Sequence, residues 1–335
     1  MQERRRKARR VSAPVLLLLA LALLPGRALA VEMLVPMGRA VGIELSADGV
    51  MVAGFNDVQT PEGTRSPAAE AGIRVGDLVT AVGTRKTTSA AELLTALSAL
   101  DGSAVNVTLR RGTQELTASV TPAMSGEGRW QLGLWLREGV SGIGTVTYYD
   151  PESGAFGALG HGINDAESGA LLPFDGGCVT EAAVVDVVKG APGAPGELCG
   201  KPDPDAVLGD LGKNTGCGIF GTARFEPSQE PVPVAAEDEV RLGQATILAT
   251  VNGESVEEFQ VEISRIYRQP EDHRFLMLTV TDPRLLEQTG GIVQGMSGSP
   301  ILQDGKLVGA VTHVLLSDAT RGYGISIREM LDAAA

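Results

Sequence analysis

The sequence predicts a mostly β chain, an α+β module followed by a larger β domain built around a glycine-flanked serine turn. Three observations lead there. Glycine is abundant (43 residues) and aromatic content is low (4%), which suits short strands and many turns rather than a helical bundle. Two short capped helices between alternating strands mark the first half. The run Gly295-Met296-Ser297-Gly298-Ser299-Pro300, with the hairpin pattern that follows it, marks the second.

Residues 1–30 stand outside that fold. Arg4-Arg5-Arg6-Lys7 and Arg9-Arg10 precede an apolar run from Val15 to Leu24, and Ala28-Leu29-Ala30 closes it with small residues. That order predicts a signal peptide cut near Ala30 or an uncleaved signal anchor, and either places the remainder outside the cytosol. The run is short of the roughly 20 residues of a comfortable membrane span. The rest is long enough for two domains with cores of their own. Formal net charge is −13, and it becomes more negative without the basic leader, which argues against charge-driven binding of nucleic acid or anionic lipid. Cys178, Cys199 and Cys217 allow one internal disulfide at most. Their spacing does not match a zinc site, the histidines do not cluster with them, and none sits in a turn beside a base. No motif suggests a metal or an organic cofactor.

The module runs from about Pro36 to Thr121. Ser66-Pro67-Ala68-Ala69-Glu70-Ala71-Gly72 predicts a short helix with Ser66 as N-cap, Pro67 in the first turn and Gly72 as the stop. Ile73-Arg74-Val75-Gly76-Asp77 turns into the strand Leu78 to Val82, which Gly83 ends. Ser89-x-x-Glu92 is a capping box opening a second helix with Leu93, Leu94 and Leu97 on one face. Val105 to Leu109 and Leu116 to Val120 alternate as strands about the turn at Arg111-Gly112. These residues resemble a PDZ domain in the circular order found in bacterial secreted proteases. The resemblance implies that Ala40-Val41-Gly42-Ile43 is the loop whose N–H groups receive a peptide carboxylate, beside a groove that takes an extended peptide as an added strand. That loop departs from the commonest Gly-Leu-Gly-Phe form.

Ser297 sits where a serine nucleophile needs to sit. Flanking glycines permit a tight exposed turn, and backbone N–H groups there can converge on a developing oxyanion. The apolar run to Leu302, the Asp304-Gly305 turn and the run Leu307 to Val311 predict a β-hairpin behind it. Together these read as the nucleophile turn of a serine endopeptidase in a two-barrel, chymotrypsin-like setting. Ser299 is the rival nucleophile, but it directly precedes Pro300. Among three histidines, His273 lies in a polar turn and His313 on the strand Gly309 to Leu316. His161, between glycines at the end of an apolar run, would fall in the opposite barrel from Ser297, as a base must in such a site. Two carboxylates could orient it: Asp165 in a polar loop nearby, and Asp282 at the end of the strand Leu276 to Thr281. An acid before Pro283 also has a simpler use, serving the next turn.

Further motifs extend across the chain: Gly142-Ile143-Gly144-Thr145, Gly157 to Ile163, Lys189-Gly190 with Pro195-Gly196-Glu197, Gly291 to Pro300, Gly309 to Val314, and Gly322-Tyr323-Gly324-Ile325. With them the sequence resembles the SpoIVB-type serine peptidases of endospore formation, over nearly all of the chain beyond the leader. The resemblance implies a signal segment at 1–30, a PDZ domain at 31–123, a linker at 124–140 and a chymotrypsin-like double β-barrel peptidase domain at 141–335. It places the catalytic histidine on His161, the nucleophile on Ser297 and the acid on Asp282. The N–H groups of Gly295 and Ser297 would then form the oxyanion hole, and Thr312 and His313 would lie on a strand that pairs with substrate. Met296 stands where trypsin-like zymogens carry Asp, so activation by N-terminal insertion is not expected. The resemblance further implies export into the space between the forespore membranes, self-cleavage near the connector Val31 to Arg39, and cleavage of a membrane-bound regulator of an intramembrane protease. Two other readings remain: a secreted quality-control protease of the HtrA type, whose domain order is the reverse, and a PDZ-based interaction protein with an inert second domain. Gly190 to Glu239, Gly/Pro-rich and acidic, reads either as substrate-facing loops or as surface connections.

Overall fold

The computed structural model describes residues 32–335 apart from 113, 165–168, 170, 173 and 269–271. The leader and Asp165 therefore lie outside the described residues. Among the described residues no helix is long and apolar enough to cross a membrane.

The module carries β1 (Met33–Phe55), β2 (Val58–Thr60), β3 (Gly63–Arg65), α1 (Pro67–Glu70), β4 (Leu78–Val82), β5 (Arg85–Lys86), α2 (Ala90–Ser98), β6 (Val105–Arg111), β7 (Gln114–Val120), β8 (Ala123–Met124) and β9 (Trp130–Gln131). A first barrel adds β10 (Leu134–Tyr149), β11 (Ala155–Ala158), β12 (Gly176–Val188), β13 (Glu197–Thr215) and β14 (Gly218–Ala223); β15 (Val232–Pro233) follows. The second barrel has β16 (Gly243–Thr250), β17 (Val256–Ile266), β18 (Leu276–Val280), β19 (Pro300–Gln303), β20 (Lys306–Leu315) and β21 (Asp318–Ser326), with helices α3 (Pro283–Thr289) and α4 (Ile327–Ala334).

Pairing in the order β1-β10-β11-β14-β13-β12 and back to β1 closes the first barrel, and β16-β17-β18-β21-β20-β19 closes the second. Alternating side chains give each a core of its own, as period-two strands must when one face is buried. Val41, Val146, Phe156, Val179 and Ile219 fill the first; Ile247, Phe259, Ile263, Leu276, Leu278 and Ile301 fill the second. The module has a third core around Val50, Leu93, Val107 and Leu109. In it Asp77 is buried and satisfied, accepting from the Arg74 amide at 2.8 Å and from two nitrogens of Arg111. Both expected helices form, with altered caps. Ser89 accepts from the Glu92 amide, but Glu92 reaches back to Thr88; Ser66 makes no side-chain cap.

The domain boundaries differ from expectation. The first half of β1 is a barrel strand, pairing with both β10 (Val41↔Gly144) and β12 (Val41↔Glu181). Its second half pairs with β4 and with the start of β10 (Val50↔Val79, Phe55↔Leu134). The module is thus inserted between two neighbouring strands of the first barrel, which run on into it as a ribbon. Residues 124–140 are part of the folded module rather than a linker: they carry the end of β8, a turn at 125–129, β9 and the first part of β10.

Candidate active site

Hydrogen bonds from both barrels hold the Ser297 turn. The Gly298 amide donates to Val311 O at 2.7 Å and the Ser299 amide to Met296 O at 3.0 Å. From the first barrel, the Thr145 amide donates to Ser297 O at 3.1 Å and its hydroxyl to Gly295 O at 2.8 Å. Glycine is required at 298, where φ is +98° and a Cβ would lie 2.1 Å from Thr145 O and 2.6 Å from Leu159 N. Among the described residues the amides of Gly295 and Ser297 have no protein acceptor. They are the pair expected to receive an oxyanion. Ser299 is fully buried, so it cannot meet a substrate, and buried Met296 packs into the second core.

A ribbon from the first barrel also supports this turn. The distal ends of β12 and β13 reach over the second barrel, where Leu198 N donates to Gln294 O at 2.8 Å and Gln294 N to Gly196 O at 3.1 Å. Gly193 N reaches Leu316 O at 2.8 Å. The start of the Gly190–Glu239 region is therefore a brace for the catalytic turn.

His161 follows β11, where Leu159 and Gly160 both have positive φ (70° and 71°) and swing the chain out of the barrel. Its Nδ1 lies 2.9 Å from Gly162 O. A carbonyl only accepts, so Nδ1 carries the proton and Nε2 is left with its lone pair. Burial pushes the His161 pKa down and keeps the ring neutral. Its ring stacks obliquely on His313, with centroids 4.8 Å apart. Burial, His161 and Arg274 together push His313 down to about 4. His161, Ser297, Gly295, Thr312 and His313 all line one cavity of about 860 Å³ between the barrels. Ser297 Oγ donates to Thr312 O at 2.6 Å, which is a parked position for the hydroxyl.

Asp282 is not brought to this cavity. It is the N-cap of α3, accepting from the Arg284 amide at 2.9 Å and the Gln260 amide at 3.2 Å. The Arg284 guanidinium lies 2.9 Å away and holds the carboxyl below its usual range. On β18, the Met277 rung pairs with Tyr323, which pairs with His313. Asp282 lies five residues on, roughly 16 Å along the strand direction. The expectation that it orients His161 is corrected here: the Asp-Pro helix start claims the carboxylate. No Asp or Glu lines the cavity among the described residues; the contact at Nδ1 is Gly162 O.

Thr312 and His313 line the cavity. Val311 exchanges hydrogen bonds with Ser299 and Gly298, and beyond it β20 has no strand partner on that side among the described residues, which leaves an edge facing the cavity. By contrast, Ala40-Val41-Gly42-Ile43 is no loop. Val41–Ile43 is laddered on both sides within the first barrel and the Ala40 amide donates to Thr250 Oγ1 at 3.2 Å, so the stretch has no free N–H groups for a carboxylate. One unpaired edge of the module is β7; another is the start of β10, which pairs only with β1 over Leu134–Arg137. Helix α2 lies alongside, and Trp135 and Leu94 are exposed there. Gly133 precedes it with φ +73°, in a turn where a Cβ would lie 2.7 Å from Asn56 O. Leu132-Gly133-Leu134-Trp135 was the signal for this edge, closer to Gly-Leu-Gly-Phe than the stretch expected to serve.

All three cysteines are free thiols, and burial pushes Cys217 up to about 11, the wrong direction for a nucleophile. His273, expected in a solvated turn away from the cysteines, in fact meets Cys217 at 3.6 Å.

The profile of the SpoIVB peptidase S55 family matches residues 128–331, and a PDZ domain profile matches residues 60–111. Among solved structures, the PDZ domain of the SdrC-like protein from Listeria monocytogenes is 22% identical, covering 28% of this chain and 90% of its own. The TM-score is 0.22, too low for the superposition to carry weight. No curated protein matches the chain. With well over half of its length matched, the chain belongs to the SpoIVB peptidase S55 family and is a serine endopeptidase with a PDZ domain.

Proposed function

We propose that His161 and Ser297 act as base and nucleophile in an exported peptidase that cuts itself and a membrane-associated regulatory protein during endospore formation. The observation that carries the catalytic part is the His161 tautomer. With Nδ1–H engaged by Gly162 O, Nε2 is free to accept a proton on the wall it shares with Ser297. Rotation of the Ser297 side chain frees its hydroxyl from Thr312 O. Attack on a peptide carbonyl then passes the hydroxyl proton to Nε2, and the oxyanion settles on the amides of Gly295 and Ser297. The imidazolium returns the proton to the leaving amine, and water, deprotonated at the same nitrogen, releases the acyl group. Substrate backbone pairs with the open edge at Thr312 and His313.

The PDZ module holds an extended peptide as an added strand on Leu134–Arg137, against α2. Family membership supports the sporulation setting, with the regulator of an intramembrane protease as substrate, and the leader pattern supports export to the forespore intermembrane space. The test is incubation of the purified chain beside Ser297→Ala, following self-cleavage and hydrolysis of a peptide library. The parent is expected to cut, and the variant to lose activity by roughly 10⁶-fold. Equal cutting by both would remove Ser297 from the mechanism.

A further inference from the structure

Away from the cleft, three elements distant in sequence bring one thiol, one imidazole and one carboxylate together. Cys217 lies in the turn between β13 and β14, His273 in the loop before β18, and Glu329 in the first turn of α4. Their donor atoms all lie within 4.8 Å of one another. Cys217 Sγ is 3.6 Å from His273 Nδ1, and Glu329 Oε1 contacts the same nitrogen.

Convergence on one ring atom excludes a Cys-His-acid relay. A relay needs the thiol at one imidazole nitrogen and the carboxylate at the other. It is, however, how donors stand around a cation. A tetrahedral ion with a sulfur at about 2.3 Å and a nitrogen at about 2.05 Å separates them by about 3.6 Å, the distance found here. The backbone holds the donors in place. Asp272 and His273 are consecutive non-glycine residues with φ of +62° and +59°, a costly arrangement that turns the imidazole toward Cys217. Thr215 fixes the cysteine turn, its hydroxyl accepting from the Cys217 amide and donating to Gly218 O. Cys217 is buried against apolar neighbours, whereas His273 is half exposed, leaving a fourth position open to solvent.

We propose that Cys217 Sγ, His273 Nδ1 and a Glu329 carboxylate oxygen bind a divalent transition-metal ion of the zinc class. Sulfur, imidazole and carboxylate together suit zinc and disfavour magnesium or calcium, which take oxygen alone. The ion displaces the thiol proton to solvent, and the imidazole takes the tautomer with its proton on Nε2 so that Nδ1 is free to ligate. The Glu329 side chain moves back to open its contact with the imidazole. It ties the first barrel, the second barrel and the C-terminal helix at one point, on the loop that carries Arg274 into the cavity.

The full chain, stripped with a chelator and dialysed, is titrated with zinc chloride and in parallel with cobalt(II). One ion per chain and a thiolate-to-cobalt charge-transfer band are expected. Cys217→Ala abolishes that band and weakens zinc binding by more than the 10- to 100-fold typical of outer-shell changes. His273→Gln and Glu329→Gln, both at more exposed positions, weaken binding with the fold intact and decide the matter if the cysteine variant does not fold. No bound zinc, a cobalt spectrum without a thiolate band, or binding unchanged in these variants overturns the proposal; the last would assign the ion to Cys178 or Cys199.

Discussion

The two barrels close with the same number of strands and spend them differently. In the second, no strand exceeds 11 residues and each stops near the rim. In the first, β1 runs for 23 residues, β13 for 19 and β10 for 16. The excess becomes two ribbons, one carrying the PDZ module and one bracing the Ser297 turn. The second barrel carries Ser297, the amides of Gly295 and Ser297 and the edge at Thr312 and His313; the first carries His161 and the supports. Division of labour in this enzyme is thus a matter of strand length.

The seam between barrels is where that comparison breaks most readily. Gly298→Ala would push a methyl into Thr145 O and Leu159 N, both first-barrel backbone. Activity is expected to fall by about 100-fold or more, as an ångström of misplacement costs, alongside a lowered Tm. A variant as active as the parent would show that the turn does not depend on its neighbour. Asp282→Asn tests whether the second barrel's acid is structural. Asn keeps the N-cap, so loss of the ion pair with half-exposed Arg284 should cost about 1 kcal/mol in denaturant unfolding, with kcat/KM of the folded enzyme changed less than tenfold. A loss near 10⁴-fold at unchanged stability, the signature of a triad acid, would mean that Asp282 reaches His161 in another conformation.

The histidine pair spans the seam and gives it a pH dependence. Burial lowers both pKa values, so the neutral forms are favoured on folding. Between the unfolded value of about 6.5 and the folded value of about 4 for His313, the unfolded chain binds more protons. Stability contributed there is complete above about pH 6.5 and is lost as pH falls toward 4. A melting series should show that slope, and His313→Asn should flatten it; an unchanged slope would place the titration elsewhere. The mildest change is replacement of the module by a two-residue turn joining Ser46 to Gly139, which face each other in register. The barrels should fold and still hydrolyse short peptides, and a chain that fails to fold would make the module part of the first barrel's core.

What was legible in the sequence was local. The Ser297 turn, the hairpin behind it and the α2 cap are each written within a few residues, by glycines, an Asp-Gly turn and a Ser-x-x-Glu pair. What was not legible was pairing at a distance. Val41 alternates equally well beside a groove or inside a barrel, and only its partners Gly144 and Glu181 decide. His273 and Cys217 are 56 residues apart, and no spacing rule joins them. Asp282 shows the reverse case. Its local signal, an acid before proline, described its position better than the role carried over from relatives.

The ribbon that joins module to barrel also sets what a single cut can do. A nick in β1 between Ser46 and Met51 leaves the two parts connected through β10, and a nick in β10 leaves them connected through β1. Such a molecule would run as two bands on a denaturing gel and as one species through a sizing column. Shedding the module would take two incisions on adjacent strands, so damage to one is a silent scar rather than a separation.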